Sequence, residues 1–336
     1  MSAQASESSA AGAAYGVLAA LIWTGFVCAL LASPAFAQRP SIPPQTIAGP
    51  ALKVTVVAQR DAIQWPAGID VDQLASVAID PRGHLFLLNR GKETVLEFDG
   101  RGAFVRSFGA GLFQRPHSIT IDARGHFWIT DVTAHVVLEL DARGAVVRTL
   151  GTAGKAGDWD EAAGTRLFNE PTDVAFARDG SFFVTQGHTR SEPKVLKFDS
   201  EGRFVKQWGG RGALPWQFEV AHSIAIDSSG LLYVADRENR RIVVFDQNGE
   251  FVKGWVYRGL VCSLAFGPDG MLYMTSGFDG QIVKLDANGR VLGVTGRSGE
   301  GLNEYGEAHD LAVARDGSIF ITDVPNKRLT KLIPSR

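Results

Sequence analysis

Three histidines occupy matching places in three segments of similar sequence, and their placement could build a metal site. Each histidine comes two residues before the first apolar position of a predicted strand. Three imidazoles that leave a fourth position open are a ligand set of catalytic zinc, with Zn–N bonds of roughly 2.0–2.1 Å. We therefore expect zinc if the fold brings these side chains together. The segments are "PHSITIDARGHFWITD" with His117, "AHSIAIDSSGLLYVAD" with His222 and "AHDLAVARDGSIFITD" with His309.

The three segments belong to a longer series of repeats. Six segments each couple a short apolar strand, through a turn that contains Gly, to a second and more aromatic strand. Third and fourth strands, such as "RIVVFD" and "RFVKQWG", follow in most repeats. The repeats start roughly 40–55 residues apart, which is typical of four-stranded blades with loop insertions. The pattern predicts an all-β fold, a six-bladed β-propeller.

The two ends of the repeat region predict how the ring closes. The last repeat stops after its third strand, "RLTKLI" (328–333), and has no fourth. Upstream of the first repeat lies a strand that belongs to no repeat, "LKVTVVA" (52–58). We expect this N-terminal strand to complete the last blade, so that no sheet edge stays open.

The histidines fall in alternate blades. The equivalent position in each of the six repeats precedes the innermost strand, and histidine is found there in the second, fourth and sixth repeats. Alternate blades of a six-bladed ring lie about 120° apart, so these side chains can converge on the central axis. Three unrelated polar residues that line a wet channel are the alternative, but the alternation favours zinc. The six positions are Ala75, His117, Thr172, His222, Cys262 and His309.

Loops after the second strand of each blade return to the face where the innermost strands start. They place Arg90, His135, His188 and Arg237 around the predicted metal. An arginine facing a metal suits an anionic substrate, because its guanidinium can donate two parallel hydrogen bonds to a carboxylate. His135 and Arg237, each taken alone, are more simply read as solvated loop residues.

Several motifs together resemble one family of propellers. "VADRENRRIVVFD" (234–246) resembles NHL repeats, and the chain from about residue 70 onward resembles peptidyl-α-hydroxyglycine α-amidating lyase. The motifs that carry this resemblance are "RPHSITID", "QFEVAHSIAID", "EPTDVAF" and "AHDLAV". The resemblance implies that His117, His222 and His309 bind zinc in an enzyme that completes the C-terminal amidation of peptides.

The resemblance also implies a substrate contact and a second metal. The family's substrate-binding arginine corresponds to Arg90. Its structural calcium corresponds to the backbone carbonyls of Val77 and Ile119 and the carboxylate of Asp310. Oxygen ligands of this kind suit a hard cation.

The chain departs from the family where the family has a tyrosine as general base. Here the sequence reads "TQGHTRSEP", with His188 at or near that place. Histidine can abstract a proton, since its unperturbed pKa lies near 6.5. Tyr305 is a second candidate base, and Glu307 stands where the family has methionine. The family's disulfides are missing.

The predicted reaction is cleavage of a C–N bond in an α-hydroxyglycine-type substrate, which yields an amide and a glyoxylate-like acid. His188 or Tyr305 would take the hydroxyl proton, and Arg90 would hold the carboxylate. Two alternatives stay open at this stage. One is a non-catalytic NHL propeller that binds a protein or cell-envelope ligand, and the other is a different metal-dependent propeller hydrolase.

The N-terminal region predicts export. Residues 1–37 contain an apolar run followed by "SPAFA", which is typical of a secretory signal peptide, although an uncleaved anchor is an alternative. Residues 38–50 predict a disordered linker, and residues 51–336 the propeller. We expect a secreted or periplasmic monomer that meets the membrane only if the anchor is retained. The formal net charge of −2 offers no basic surface for nucleic acid, which leaves a small molecule or peptide bearing a carboxylate as the expected partner.

Overall fold

Six four-stranded antiparallel sheets form the body of the protein, so the predicted β-propeller is confirmed. The computed structural model describes residues 44–189 and 191–335, and all of these lie in one structural unit, residues 42–336. The predicted signal segment, residues 1–37, lies outside the described residues. Within the described part of the chain, no helix is long and apolar enough to cross a membrane.

The elements follow one another blade by blade. The first two are the strand β1 (Val54–Val57) and the short helix α1 (Gln59–Ala62). Blade 1 contains β2 (Leu74–Ile79), β3 (Leu85–Asn89), β4 (Val95–Phe98) and β5 (Phe104–Phe108). Blade 2 contains β6 (Pro116–Ile121), β7 (Phe127–Asp131), β8 (Val136–Leu140) and β9 (Val146–Gly151), and is followed by the hairpin β10 (Trp159–Asp160) and β11 (Thr165–Arg166).

The second half of the ring repeats this plan. Blade 3 contains β12 (Pro171–Phe176), β13 (Phe182–Gln186), β14 (Lys194–Phe198) and β15 (Phe204–Gly209). Blade 4 contains β16 (Ala221–Ile226), β17 (Leu232–Asp236), β18 (Arg241–Phe245) and β19 (Phe251–Val256). Blade 5 contains β20 (Leu264–Phe266), β21 (Leu272–Thr275), β22 (Ile282–Leu285) and β23 (Val291–Thr295). The parallel pair β24 (Arg297–Ser298) and β25 (Glu304–Tyr305) then leads to blade 6, with β26 (Ala308–Val313), β27 (Ile319–Asp323) and β28 (Arg328–Pro334).

The N-terminal strand closes the ring, as the sequence predicts. Strand β1 pairs antiparallel with β28, in a register that joins Val54 to Pro334 and Val57 to Lys331. Blade 6 therefore has the strand order β1-β28-β27-β26. Both ends of the propeller are locked into one sheet.

Aspartate and glycine together make the turns within the blades. Between β6 and β7, one carboxylate oxygen of Asp122 accepts hydrogen bonds from the backbone N–H groups of Arg124 and His126, at 2.8 and 3.0 Å. Gly125 in this turn has a φ of +79°, a conformation that glycine adopts at little cost. The same aspartate contacts recur at Asp80 and Asp227 in blades 1 and 4. Because these turns need aspartate and glycine at fixed positions, the repeat could be recognised in the sequence.

Aromatic side chains fill the spaces between blades. Successive residues of a strand point to opposite faces of its sheet. Phe127 accordingly packs on Phe86 of blade 1, with ring centroids 4.7 Å apart, while its neighbour Trp128 packs on Phe182 of blade 3, also at 4.7 Å. The innermost strands contact one another around the whole ring, which places the residues near their N-terminal ends at the axis.

Part of the predicted linker packs against the propeller instead of being disordered. Gln45 forms a parallel bridge with Tyr257, and the backbone of Pro50 accepts a hydrogen bond from Val294. Ile47 is buried in the apolar cluster between blades 4 and 5. The prediction of disorder is therefore corrected for residues 44–50, because Ile47, an apolar residue of this proline-rich stretch, packs in the core. Residues 38–43 lie outside the described residues.

Candidate metal centre

The structure brings the three predicted histidines together on the axis. His117, His222 and His309 are the second residues of the innermost strands β6, β16 and β26. Their ring centroids lie 4.7 to 5.1 Å apart. Each residue is at most 5% exposed, so the three imidazoles form a buried cluster.

One ring nitrogen of each histidine is tied to the neighbouring blade. The Nδ1 atoms lie 2.7 to 2.8 Å from three backbone carbonyl oxygens. A carbonyl oxygen can only accept a hydrogen bond, so each Nδ1 carries the proton and each Nε2 keeps its lone pair. This is the arrangement that orients a histidine ligand toward a metal. The pairs are His117 with Thr172, His222 with Cys262 and His309 with Ala75.

The acceptors occupy the blades between the histidines. Ala75, Thr172 and Cys262 stand at the same repeat position as the histidines, in blades 1, 3 and 5. Each supplies its backbone carbonyl to the histidine of the preceding blade. Every blade therefore contributes either an imidazole or the carbonyl that orients one.

The free nitrogens of His117 and His222 are spaced as ligands of one ion. The Nε2 atoms of His117 and His222 lie 3.2 Å apart. In a tetrahedral site with metal–nitrogen bonds of roughly 2.0–2.1 Å, two ligand nitrogens lie about 3.3–3.4 Å apart. Two unprotonated nitrogens at this distance repel each other unless a cation lies between them. The donor set and its spacing therefore fit a metal ion.

The electrostatic environment keeps these imidazoles neutral. Burial lowers the pKa of His117, of His222 and of His309 well below the usual value, and nearby positive groups lower each pKa further. A neutral imidazole is the metal-binding form. The cluster is therefore ready to bind a metal at neutral pH without first losing protons.

A fourth imidazole, that of His188, lies against the cluster. It follows β13 in the loop where the family has its tyrosine, and its ring centroid lies 4.8 Å from that of His117 and 5.5 Å from that of His222. Ring nitrogens of these three residues lie within 4.8 Å of one another, close enough to hold one metal ion. Burial, followed by the charges of Arg237 and Arg115, lowers the pKa of His188 to about 3.

Charged side chains surround the entrance to the cluster. Arg90 donates from Nε to the carbonyl oxygen of Pro116 at 3.1 Å and from its terminal nitrogen to Gln73 at 2.9 Å. Burial and the charge of Arg115 lower the pKa of Arg90 to about 10, so it remains a cation at neutral pH. Glu307 is also buried, and this burial raises the pKa of its carboxyl group. The entrance therefore combines fixed positive charge with one carboxyl group.

The other two candidates lie elsewhere. Tyr305 is fully buried in the apolar cluster between blades 5 and 6, where burial raises the pKa of its hydroxyl. No ring contact joins it to a histidine of the described chain. His135 has a φ of 57° and accepts a hydrogen bond at Nδ1 from the backbone of Glu170 at 3.1 Å. The structure thus places His188, and not Tyr305, beside the imidazole cluster.

The channel beneath the histidines contains two carboxylates. Asp310 accepts hydrogen bonds from the hydroxyls of Ser76 and Ser263 and from the backbone N–H of Val77. Val77, Ile119 and Asp310 line the same cavity of about 380 Å³.

Asp173 is the second carboxylate of this channel, and sequence reasoning missed it. It stands in blade 3, at the repeat position that Asp310 occupies in the opposite blade 6. Burial, and then the charge of Asp310, raise the pKa of Asp173 to about 7. A comparison of the residues that follow the six axial positions would have found it, because four are serine and two are aspartate. Two half-buried carboxylates that share one channel repel each other, and a cation between them would reduce this repulsion.

A second group of metal-ligating types lies in the turn region of blade 2. Asp122, His126 and Glu139 bring possible ligand atoms within 4.8 Å of one another. Arg124 forms ion pairs with Asp122 at 2.6 Å and with Glu139 at 2.7 Å. These carboxylates already have a cationic partner, so this group is a structural ion-pair network.

Comparisons with known proteins agree with this architecture. The NHL repeat model matches residues 218–245. Peptidyl-glycine alpha-amidating monooxygenase A of Xenopus laevis is 30% identical over 315 residues, which cover 81% of this chain and 33% of that protein. A probable peptidyl-alpha-hydroxyglycine alpha-amidating lyase of Caenorhabditis elegans is 27% identical over 175 residues, 49% of each chain. Peptidyl-alpha-hydroxyglycine alpha-amidating lyase 1 of Drosophila melanogaster is 25% identical and covers 53% of this chain and 37% of that protein.

Solved structures resemble the chain in fold. A gluconolactonase from Xanthomonas campestris has a TM-score of 0.60 at 17% identity and covers 88% of this chain and 99% of its own. A streptogramin B lyase has a TM-score of 0.59 at 13% identity, covering 84% and 98%. At such identities the likeness shows the fold alone.

The fold and repeats define a six-bladed β-propeller of the NHL type. The chain is related, at 25–30% identity, to the peptidylglycine amidating monooxygenases and the peptidyl-α-hydroxyglycine α-amidating lyases. It spans 33% of the length of the first Xenopus relative and 35% of the second.

Proposed function

We propose that this propeller is a zinc-dependent lyase that cleaves the C–N bond of an α-hydroxyglycine-type substrate. The observation that carries the proposal is the convergence of three imidazoles whose Nδ1 atoms are all tied to backbone carbonyls, which leaves three Nε2 lone pairs for one ion. Zinc is the metal we assign, because an all-imidazole set with an open position suits it. The relationship to the amidating lyases supports the choice of reaction.

The reaction needs a base, a carboxylate anchor and an activated hydroxyl. When bound by the three imidazoles, zinc supplies a Lewis acid that lowers the pKa of a hydroxyl group. The α-hydroxyl loses its proton, and its oxygen forms the carbonyl of glyoxylate. The C–N bond breaks with its electrons going to nitrogen, which takes up a proton and leaves as the amide.

His188 is the group that we assign to the proton transfers. It lies against the imidazole cluster and is neutral at pH 7, since burial and nearby arginines lower its pKa. A neutral imidazole can accept the hydroxyl proton and return it to the departing nitrogen. A substrate carboxylate would offset part of the positive charge that opposes protonation of His188. The buried position of Tyr305 supports His188 over the tyrosine.

Arg90 is the residue that we assign to the substrate carboxylate. Its bonds to Pro116 and Gln73 fix the guanidinium near the strand that presents His117. A fixed guanidinium loses little entropy when it binds a carboxylate, and it holds both oxygens through parallel bonds. A substrate held in this way would present its α-carbon to the imidazole cluster.

We also propose a structural calcium in the channel, held by Asp310 and the backbone carbonyls of Val77 and Ile119. The two channel carboxylates and the pKa of Asp173, raised to about 7, support a cation there. The proposal extends to location and partners. Export through residues 1–37 would place a monomeric enzyme in the periplasm or outside the cell, where it meets a peptide or small molecule that bears a carboxylate.

A metal-dependent hydrolase is the second candidate function. The pair Asp173 and Asp310 favours it, because oxygen ligands on the axis suit a hard cation that activates water. These carboxylates, however, line a cavity bordered mainly by apolar residues such as Val77 and Ile119. No cationic anchor comparable to Arg90 lines that cavity among the described residues.

Product analysis tests the lyase against the hydrolase. Purified full chain, freed of metal and then reloaded with zinc, is incubated with N-benzoyl-α-hydroxyglycine, and glyoxylate and benzamide are measured. We expect equal amounts of both products, formed faster than in a sample without protein, and a loss of rate in the His222→Ala variant. Release of no glyoxylate above the background, together with hydrolysis of a lactone, would contradict the lyase.

A further inference from the structure

His188 is held differently from the other three axial histidines. Each of those has its Nδ1 tied to a carbonyl oxygen within 2.8 Å. Over residues 44–189 and 191–335, no hydrogen bond involves the His188 imidazole, and only ring contacts with His117 and His222 locate it. The position of this side chain therefore depends on the backbone of its own loop.

One carboxylate fastens that loop just after His188. The loop of residues 187–193 joins β13 to β14, and Glu170 lies just before β12 of the same blade. Glu170 accepts hydrogen bonds from the backbone N–H and the hydroxyl of Thr189, at 2.7 and 2.5 Å, and from the hydroxyl of Ser191 at 2.8 Å. Hydrogen bonds to a carboxylate are stronger than those between neutral groups.

The backbone of Glu170 is itself held in an uncommon conformation. Its φ is 57°, in the left-handed region that residues other than glycine seldom adopt. Its N–H donates to Nδ1 of His135 at 3.1 Å, and its carbonyl oxygen accepts from the N–H of Gly187 at 3.0 Å. Strained residues of this kind persist where the surroundings fix them, often beside a functional site. Here the strain lies in the residue that fastens the His188 loop.

We propose that Glu170 is a positioning residue that holds His188 against the imidazole cluster. The carboxylate acts on His188 through its hydrogen bonds to the loop. The kinetic consequence rests on the proposed lyase function, in which His188 transfers the proton, whereas the structural consequence does not. Misplacement of a catalytic group by about 1 Å can reduce a rate on the order of 100-fold.

A neighbouring glutamate provides a matched control. Glu192 lies in the same loop, carries the same charge and accepts a hydrogen bond from the backbone N–H of Arg211 at 2.9 Å. It is exposed and fastens the far end of the loop to the segment before blade 4. Glu170→Gln and Glu192→Gln therefore remove one negative charge each from the surroundings of the same loop, and only the first weakens the contacts of Thr189 and Ser191 that follow His188.

Two measurements that need no substrate test the placement of His188. Amide hydrogen exchange of a peptide covering residues 187–193 should become at least tenfold faster in Glu170→Gln and stay within twofold of the parent in Glu192→Gln. The chain has only seven histidines, so ring signals in histidine-labelled protein can be resolved, and His188→Ala identifies the signal of His188. That signal should shift or broaden in Glu170→Gln alone, with the signals of His117, His222 and His309 unchanged. Unchanged exchange and an unchanged His188 signal in Glu170→Gln would overturn the proposal.

A double-mutant comparison tests whether Glu170 acts through His188 during turnover. We expect Glu170→Gln to lower kcat by about 10- to 100-fold, with KM within threefold of the parent. Combined with His188→Ala, it should add less than twofold to the loss of the single His188 variant. Full additivity would overturn the role of Glu170 as a positioning residue. If the parent itself shows no lyase activity, the proposed function fails. The hydrogen-exchange and ring-signal measurements then decide by themselves whether Glu170 positions His188.

Discussion

His309 of blade 6 donates its Nδ1 proton to the carbonyl oxygen of Ala75 in blade 1 at 2.7 Å, although 234 residues separate the two. The bond crosses the junction where the ring closes. Blade 6 obtains its outer strand from β1, so the same junction also depends on the N-terminal strand. The histidine cluster and the closure of the propeller are therefore linked.

Removal of the N-terminal strand should destabilise the protein and weaken its metal site. We expect a variant that starts at residue 44 to melt at the temperature of the full chain. A variant that starts at residue 59 loses β1 and the packed Ile47, and its melting temperature should fall by more than 10 °C. Loss of paired strand and buried apolar surface is the physical reason. Calorimetry of both truncations checks this, and equal melting temperatures would contradict the role of β1 in closure.

Metal content should depend on each of the three tied imidazoles. We expect about one zinc ion per parent chain, and less than a tenth of that in His222→Ala, because two ligands rarely retain the ion. The melting temperature without metal should stay within a few degrees of the parent, since the blades bury cores away from the axis. His126→Ala is the control, as it removes a histidine from the ion-pair network of blade 2. Elemental analysis gives the result, and equal zinc in His222→Ala would exclude the cluster as the binding site.

Arg90 should discriminate between substrates with and without a carboxylate. We expect Arg90→Ala to lower kcat/KM for an α-hydroxyglycine substrate by about 100-fold, mostly through KM, because the substrate carboxylate loses its cationic partner. The corresponding methyl ester should be affected by less than threefold. Arg115→Ala changes an exposed arginine near the same entrance and serves as the control. Equal losses for acid and ester would show that Arg90 acts on something other than the carboxylate.

Much of this architecture could be predicted from the sequence, because the same strand and turn pattern occurs six times. The turn aspartates and the axial positions recur at constant offsets, so His117, His222 and His309 could be placed on one axis without coordinates. Residues outside the repeat could not be placed in this way. Tyr305 precedes the zinc-ligand candidate His309 in the sequence, but its side chain is buried in the apolar cluster between blades 5 and 6. Ile47 belongs to a proline-rich stretch, but it is buried in the apolar cluster between blades 4 and 5.

Asp173 lies within the repeat, and its role still could not be predicted from the sequence. Its position is part of the repeat, but a single polar residue at the start of a strand has many possible roles. Its significance depends on the charge of Asp310 in the same channel, and that electrostatic interaction joins blades 3 and 6. The same holds for Glu170. Its three hydrogen bonds to the loop that contains His188 could not be predicted from the fact that it is a glutamate. Long-range electrostatics of this kind required the structure.

The pH dependence of stability should reveal Asp173. Its pKa is raised to about 7 in the folded protein, against an ordinary value of 3.8. The folded state therefore keeps its proton at pH values where the unfolded state has lost it. By linkage, the free energy of unfolding then decreases as pH rises from about 4 to about 7, and the effect is complete above that range.

Over the same range the axial histidines act in the opposite direction, because their pKa values are lowered in the folded protein. We therefore expect the melting temperature of calcium-free Asp173→Asn to fall less, or to rise more, than that of the parent between pH 4.5 and pH 7.5. Asp286→Asn, which changes a turn aspartate far from the channel, should retain the pH dependence of the parent. Calcium should raise the melting temperature of the parent at pH 7.5 more than at pH 4.5, because it binds the ionised carboxylates of the folded state. Scanning calorimetry at the two pH values, with calcium or with a chelator, provides all of these comparisons. The same slope in Asp173→Asn as in the parent would assign the pH dependence to other groups, and the absence of any calcium effect would remove the proposed cation from the channel.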